Sequence, residues 1–269
     1  MTTQEFSDAM DTLLNSYASQ AVFGEGASKS EVVLDEYEKS VLLTQAQDMI
    51  VKSYFYGNQN PQGQGFDDSI RRQVDFSSLI KTATLNKASN QESVFDDRGI
   101  IYTMPPKTIN NQPVDNTTDV LYILNEKLIV KVDGEAKGKD YVVIPLNYKE
   151  YDREMSKAYA QPFKKQAWRL FQNNQTGFDV QSELIPVWNI AEDVKGEEGD
   201  LTLTYRVRYV KRPDPIVLAD LPNDLSIDGI STVSECTLNP IVHMDILNKA
   251  VEIALTTRGR IAPRQDNNQ

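Results

Sequence analysis

The sequence predicts an α+β fold with N-terminal helices including one long helix, a central mainly antiparallel β region, and a C-terminal arm plus helix. Apolar residues recur at helical spacing near both ends of the chain, whereas short alternating runs bounded by Pro and Gly fill the middle. Helices and strands segregated in this way are typical of α+β proteins. We expect three regions: 1–89, helical; 90–212, α+β with antiparallel strands; and 213–269, extended arm plus C-terminal helix.

The first region is predicted to hold two helices and a shorter helical stretch. One face of the first helix carries Phe6, Met10, Leu13, Leu14 and Tyr17. The second helix is expected to start at Ser28, which has capping-box spacing with Glu31, and to end at Gly57. About 26 helical residues at 1.5 Å each would span close to 40 Å, which suits a bundle or a subunit wall. After a polar loop at 57–65, turns around Ile70 and Val74 should pack on this long helix.

The central region is predicted to contain short strands and one short helix. The expected strands are Gly99–Thr103, Lys165–Phe171 and Leu184–Ile190, and Leu128–Val132 should pair with Tyr141–Pro145 as a hairpin. Asn147 and Glu150 have capping spacing for a helix that ends near Tyr159. A helix or turn is expected within Asp115–Leu124.

A strand and an apolar arm follow. Leu201, Leu203, Tyr205, Val207 and Tyr209 alternate with polar residues, which predicts a strand with one buried face. Pro213 and Pro215 end the strand because neither can donate a backbone hydrogen bond. The arm from Ile216 to Ser234 is too interrupted for a long helix and too apolar for a linker. It therefore needs a surface to lie on, either on its own domain or on a neighbouring subunit.

The arm leads into a C-terminal helix. Asn239 occupies an N-cap position and Pro240 the first helical position, and Gly259 marks the end. One apolar stripe along this helix consists of Leu247, Ala250, Val251, Ala254 and Leu255. The polar end, Pro263–Gln269, is expected to be disordered or to order only on a partner.

Five segments resemble the ring proteins of crAss-like bacteriophages. They are RGIIYTMP at Arg98–Pro105, PFKKQAWRL at Pro162–Leu170, and RYVKRPDPIVLADL, LSIDG and SECTLNPIVHMDILNKAVEIA in the C-terminal part. The resemblance covers roughly the last two-thirds of the chain. It implies a structural virion protein that forms a ring in the head-to-tail connector, between portal and tail, around the DNA channel. The matching residues are packing and docking residues and include no catalytic signature.

The resemblance also implies partners and a location. The expected partners are the portal protein, neighbouring connector or tail proteins, and further copies of the chain in a dodecameric ring. DNA would pass without sequence-specific binding, and no membrane contact is expected. The expected location is the virion, assembled in the bacterial host cytoplasm. Deletion of Pro215–Gln269 is expected to leave a soluble monomer.

Length and composition are those of a soluble globular protein. The 269 residues are 40% hydrophobic and 25% charged, which is enough chain for one large domain or two small ones. No segment approaches the ~18–20 continuous apolar residues of a membrane span, and the N-terminal residues lack the features of a signal peptide. The single cysteine, Cys236, excludes an internal disulfide and fits a reducing cytoplasm.

The acidic charge disfavours tight binding to nucleic acid. Against 39 acidic residues there are 28 basic ones, for a net charge of −11, and affinity for phosphates comes mainly from Lys and Arg. Two interpretations stay open. An acidic ring would repel DNA and let it slide through a channel, or the charge simply keeps an abundant protein soluble.

Cys236 and His243 are the one candidate for nucleophilic catalysis, with Glu235 or Asp245 as the group that would orient the histidine. The cysteine precedes the predicted helix cap and the histidine lies in the first helical turn, so the spacing does not favour contact. No glycine-rich segment frames the cysteine. We expect a buried apolar thiol and a helix-face or interface histidine, and hence no catalytic residues and no enzyme.

No metal or cofactor site is expected. One Cys and one His do not make a typical zinc site, and GEEGD at 196–200 lacks the alternating ligands of a calcium loop. GEGASKS at 24–30 resembles a phosphate-binding loop only superficially, because no strand precedes it. The segment 196–200 is expected to be a solvated turn, and 24–30 is expected to be a loop followed by the cap of the long helix.

Basic and aromatic residues are expected to have structural roles. The strip of Arg206, Arg208, Lys211 and Arg212 lacks interleaved stacking aromatics, so a wet sheet face or pairing with an acidic neighbouring subunit is favoured over nucleic-acid binding. Trp168 and Trp188 are expected to be core or interface anchors.

Three functions remain to be distinguished. The first is a ring protein of the head-to-tail connector, with a geometric mechanism. The second is another virion accessory or binding module, which would lack ring closure. The third is a hydrolase that uses Cys236, which would require an unusually reactive thiol.

Overall fold

The chain folds into two compact units. The computed structural model describes residues 1–20, 34–55, 70–86, 99–109, 112–132, 137–157, 162–163, 165–173, 180–186, 201–222 and 225–257. The helical unit comprises Met1–Leu79 and Pro213–Gln269, and the sheet unit comprises Ile80–Arg212. The helical unit therefore contains both ends of the chain, whereas the sheet unit is one continuous segment. The division into three regions at residues 89 and 212 stays a prediction.

The structure confirms the α+β class. In chain order, the described elements are α1 (Thr3–Gln20), α2 (Glu36–Phe55), α3 (Ile70–Asp75), a 3-10 turn (Ser77–Leu79), β1 (Ile80–Asn86), β2 (Ile100–Thr103), β3 (Pro106–Ile109), β4 (Gln112–Thr118), β5 (Val120–Val132), β6 (Lys139–Pro145), α4 (Tyr148–Met155), β7 (Gln166–Asn173), β8 (Val180–Pro186), β9 (Leu201–Lys211) and α5 (Pro240–Thr257). Among these helices, none is both long and apolar enough to cross a membrane.

The helical unit is built on the apolar faces of α1, α2 and α5. Phe6, Met10 and Leu14 are buried on α1, which confirms the predicted face, although Tyr17 is exposed. All five residues of the predicted stripe on α5 are buried. The stretch after α3 packs on α2 through Phe76, whose ring centroid lies 4.9 Å from that of Tyr54, whereas Val74, which was predicted to make this contact, is exposed.

The start of α2 differs from the prediction. The helix begins at Glu36, and Asp35 caps it: the Asp35 side chain accepts from Glu38 N at 2.6 Å, and the Glu38 carboxylate accepts from Asp35 N at 3.4 Å. Leu34 lies outside the helix, so no continuous helix connects Ser28 to this point, and Ser28 itself lies outside the described residues. A capping box exists, but it is formed by Asp35 and Glu38, seven residues further along the chain than predicted.

The sheet unit contains a seven-stranded sheet in the order β1-β9-β5-β6-β7-β8-β2. Neighbouring strands are antiparallel except β6 and β7, which are parallel and are connected through α4. β3 and β4 form a separate two-stranded ladder. The predicted hairpin is confirmed, since Leu128 pairs with Tyr141 and Val130 with Lys139.

The sheet curls around one apolar core. Tyr102 on the edge strand β2 donates its hydroxyl to the Leu203 carbonyl on β9 at 3.3 Å, so one edge of the sheet reaches the strand beside the other edge. Tyr102 is fully buried beside Tyr205, and Leu128 lies in the same cluster. We call the side that faces this cluster the inner face. On the opposite, outer face, Tyr151 of α4 packs edge-on against Trp168.

Most of the predicted strands are found, and one prediction is wrong. The segment Asp115–Leu124 is not a helix or turn but belongs to β4 and β5. α4 has the predicted capping box of Asn147 and Glu150 but ends at Met155 rather than near Tyr159. Pro106 begins β3, consistent with the tolerance for proline at the first position of a strand.

Candidate functional site: the arm on its helices

The arm lies on the helical unit of its own chain and folds back on itself. Val217 and Ser234 exchange backbone hydrogen bonds of 3.0 and 2.9 Å, which pairs the outgoing and returning halves. The tip is a two-residue turn between Ile227 and Ile230, closed by hydrogen bonds of 2.9 and 3.0 Å. Asp228 and Gly229 have φ values of 50° and 85°, the left-handed conformations that such a turn requires. The arm is therefore a folded-back segment within its own unit.

Three polar side chains of α2 bind the backbone of the arm. Gln47 donates to the Asp214 carbonyl at 2.8 Å. Thr44 Oγ1 accepts from Ile216 N at 3.1 Å, and it lies 3.3 Å from the Ile216 carbonyl as donor. The backbone N of Leu218 donates to Ser40 Oγ at 3.0 Å.

The spacing of these contacts explains why they fit. Ser40, Thr44 and Gln47 lie at i, i+4 and i+7 on α2, which is one face of a helix. They contact alternate residues of the arm, whose backbone groups point the same way in an extended chain. We call these three residues the α2 ladder. It satisfies backbone groups that would otherwise be buried without partners, so it sets the register of the arm.

Apolar burial stabilises the same contact. Ile216 and Val217 are fully buried, as are Leu43 and Ala46 of α2. Full burial of a Val or Ile side chain contributes about 1.5–3 kcal/mol. Gln47 also accepts from the Cys236 thiol at 3.2 Å, so it contacts both halves of the arm.

Cys236 and His243 do not form a dyad. The thiol donates to Gln47 Oε1. His243 Nε2 lies 3.0 Å from the Leu238 carbonyl and Nδ1 lies 2.8 Å from the Met1 ammonium. Both ring nitrogens are thus engaged by groups other than Cys236, Glu235 or Asp245. The ring of Phe6 packs on the imidazole at 5.3 Å, so the histidine connects α1 with α5.

The environments of the two residues favour their neutral forms. Burial raises the pKa of the Cys236 thiol, against a smaller opposing effect of the Leu238 backbone. A nucleophilic thiol needs the opposite shift, because the thiolate is the reactive form. Burial lowers the pKa of His243; the Leu238 carbonyl opposes this, and the Met1 ammonium adds to it. The pair is therefore arranged for packing.

The described part of the chain contains no group of three or more His, Cys, Asp or Glu side chains that could hold a metal ion. The two loops considered above, 24–30 and 196–200, lie outside the described residues, as do 57–65, Trp188 and 263–269. Trp168 is buried against Tyr151, as expected for a core anchor.

The basic strip lies on the exposed face of β9 and just after its end, as the alternation in the sequence predicts. Arg206, Arg208 and Arg212 are exposed, while Tyr205, Val207 and Tyr209 point to the inner face. The cross-strand neighbours of Arg206 are Thr84 on β1 and Lys127 on β5. These are not aromatic stacking partners.

A buried polar network in the sheet was not predicted. Arg169 Nε lies 2.8 Å from Glu126 Oε2, and both side chains are 8% exposed. The Tyr205 hydroxyl donates to the same carboxylate, and burial followed by the negative charge of Glu126 raises the pKa of Tyr205. These residues come from β7, β5 and β9, so no local sequence pattern could identify them.

The described geometry is one of internal packing: a segment docked through backbone hydrogen bonds and buried apolar residues, together with buried networks that fix strand register. Comparisons with known proteins identify the class. The profile of the family described as phage tail ring protein 3/4 matches residues 1–266.

Two curated proteins of Bacteroides phage crAss001 are similar over nearly their whole length. "Ring protein 4/5" is 39% identical over 259 residues, 94% of this chain and 92% of the relative. "Ring protein 3" is 31% identical over 272 residues, 99% of this chain and 100% of the relative. The chain belongs to the phage tail ring protein 3/4 family of crAss-like phages and is a structural ring component of the virion. The resemblance noted in the sequence is thereby confirmed.

Proposed function

We propose that this protein forms a closed ring in the head-to-tail connector of the phage, between portal and tail, around the channel through which DNA passes. The observation that carries this is the family match over residues 1–266 on a chain whose described contacts are those of packing and docking. Its mechanism is geometric, and the protein catalyses no reaction.

The partners of the ring are further copies of the chain, the portal protein and neighbouring connector or tail proteins. A dodecamer would match the symmetry of a portal. Cyclic closure requires two different patches that fit each other on every copy. Because the arm is bound by its own helices, outer surfaces supply these patches, and Ile241 and Met244 on α5 remain 61% and 50% exposed for contact with the portal or a neighbour.

The acidic charge fits a channel through which DNA moves without being held. A net charge of −11 provides few sites at which phosphates could displace counterions. The ring would work in the virion after assembly in the host cytoplasm.

Native mass spectrometry tests the proposal. The protein is measured alone, with purified portal, and with neighbouring virion proteins, and a closed oligomer of about a dozen copies is expected in at least one condition. Electron microscopy of the portal mixture then locates the ring. A monomer in every mixture would contradict ring formation, and a ring that does not bind the portal or its neighbours would contradict the connector position.

Cysteine reactivity tests the absence of nucleophilic catalysis. Cys236 should react with iodoacetamide at neutral pH more slowly than a free cysteine, because its pKa is raised by burial. Fast alkylation at neutral pH would reopen the hydrolase hypothesis.

A further inference from the structure

We propose that the ring closes by a contact between a basic and aromatic patch on the outer face of one copy's sheet and an apolar groove in the helical unit of the next copy. This inference rests on the proposed ring. It identifies the two different patches that a cyclic interface needs.

The first patch lies in one row across the outer face of the sheet. The register aligns Arg206 of β9 with Lys127 of β5, Lys127 with Val142 of β6, and Val142 with Gln166 of β7. Paired residues point to the same face, and neighbouring strands lie about 4.8 Å apart. Val142 is 61% exposed although it is apolar. Lys127 is paired with Asp140 at 2.6 Å, so Arg206 supplies most of the unbalanced charge of this row, and the exposed Arg208 lies in the next row of the same face.

A turn presents an aromatic side chain beside this row. Phe163 is 80% exposed, the highest value among the described large hydrophobic residues. Its carbonyl accepts from Gln166 N at 3.0 Å, and the Lys165 carbonyl accepts from Val142 N at 2.9 Å, so the turn is anchored at the start of the parallel strand pair. Lys165 has φ 58°, an uncommon conformation for a residue with a side chain. Phe is among the residues enriched in the cores of protein interfaces, so this exposed side chain on a hydrogen-bonded turn suits an interface anchor.

The second patch is a groove between the start of α2 and the end of α5. Leu34, Tyr37, Val41 and Ala254 line it, and Glu38 lies at its edge. Its volume is about 240 Å³, below the roughly 300–1,000 Å³ typical of small-molecule sites. The size and the apolar lining suit an inserted side chain.

Charge favours a second copy as the occupant of the groove. The helical unit contains 20 of the 39 acidic and 9 of the 28 basic residues and so carries the whole net charge of −11, whereas the sheet unit has 19 of each. Glu38 and the exposed Asp35 lie near the groove, and Lys165, Arg206 and Arg208 surround the outer patch. A basic patch on one copy therefore meets an acidic surface on the next, which favours this pairing over two identical patches.

Cysteine cross-linking tests the contact directly. In a Cys236→Ser background, Phe163→Cys is combined with Val41→Cys, and the assembled ring is treated with a short bis-maleimide. A ladder of covalent multimers is expected on a denaturing gel run under reducing conditions. The matched control combines Phe163→Cys with Met49→Cys, because Met49 lies on the same helix and is 44% exposed, against 38% for Val41. The control pair should give little or no ladder.

A second variant measures the energetic role of the aromatic residue. Phe163→Asp should weaken association of copies by at least about tenfold, equivalent to 1.4 kcal/mol, with an unchanged circular dichroism spectrum. Met49→Asp, which adds the same charge on α2, should still form rings.

The outcomes separate this inference from the proposed ring. Rings of wild-type mass formed by Phe163→Asp, a link confined to single chains, or equal ladders from both cysteine pairs would overturn the inference and leave the ring intact. Loss of rings in Val41→Asp but not in Phe163→Asp would mean that the groove binds residues 258–269 or another protein, which also overturns it. A wild-type protein that never forms a ring would overturn both.

Discussion

The helical and sheet units differ in how the chain builds them. The sheet unit is one continuous segment, and its strands close around a core of their own. The helical unit is made from both ends of the chain, and the arm and α5 supply much of its buried surface. The comparison indicates that the arm is an internal part of one unit and not a detachable peptide. Contact between copies must therefore use surfaces that remain exposed after the arm is bound.

Deletion of Pro215–Gln269 should have the largest effect on the difference in stability between the two units. It removes α5, eight residues of which are buried, so we expect α1 and α2 to unfold while the sheet stays folded. The expectation from the sequence was a soluble monomer, and the burial of α5 replaces it with this partial unfolding. Hydrogen exchange measured by mass spectrometry should show lost protection in α1 and α2 and retained protection in β5 and β9. Retained protection of α2 would contradict the role given to the arm and α5.

Removal of one partner of the buried ion pair should affect only the sheet unit. Glu126→Ala leaves Arg169 buried without its charge partner, which typically costs about 3–5 kcal/mol. Both tryptophans lie between residues 80 and 212, so their fluorescence during urea unfolding reports the sheet unit. The control, Glu126→Leu with Arg169→Met, should cost less because no charge is left unpaired. A single variant as stable as the double variant would contradict this.

Removal of one member of the α2 ladder should have a smaller effect, limited to the helical unit. Ser40→Ala takes the acceptor from the buried Leu218 N–H, which costs about 1–3 kcal/mol. Urea unfolding followed by helical circular dichroism should detect the change, with tryptophan fluorescence unaltered. Ser53→Ala is the matched control, because the Ser53 hydroxyl donates to the Ile50 carbonyl of its own helix. Equal midpoints for the two variants would exclude a role for the ladder.

Acidification should give the smallest effect, again in the helical unit. The folded protein lowers the pKa of His243 and so favours neutral imidazole. This contribution is present above the ordinary pKa, near 6.5, and is lost as pH falls through the lower folded value. Between pH 7.5 and 5.5 the midpoint of helical unfolding should fall more in the wild type than in His243→Gln. The same fall in both would show that other groups cause the pH dependence.

Elements that leave a pattern in consecutive residues could be predicted from the sequence. The alternation of β9, the Asn239 cap with the stripe of α5, and the capping box of α4 could all be read from consecutive residues. The sequence could not decide what surface the arm lies on, because Gln47 and Asp214 are 167 residues apart. β4 was missed because QPVDNTT has the composition of a turn and becomes a strand through pairing with β3.

The candidate site was harder to predict than the fold. Cys236 and His243 attracted attention because each is unique in the sequence, yet each serves packing. The α2 ladder consists of Ser, Thr and Gln, residue types common on any helix. Only contact with the arm distinguishes them. Arg169 and Glu126 are 43 residues apart in sequence, so their pairing depends on sheet order, which spacing does not reveal.

The chain order of the helical unit has a consequence for synthesis in the host. α1 and α2 leave the ribosome first, but the arm and α5 that complete their unit follow only after the roughly 130 residues of the sheet unit. At about 5–20 residues per second, this leaves the first helices without their partners for on the order of ten seconds. The groove between α2 and α5 therefore does not exist on a nascent chain. Through the proposed interface, copies could therefore meet only when each polypeptide is nearly finished.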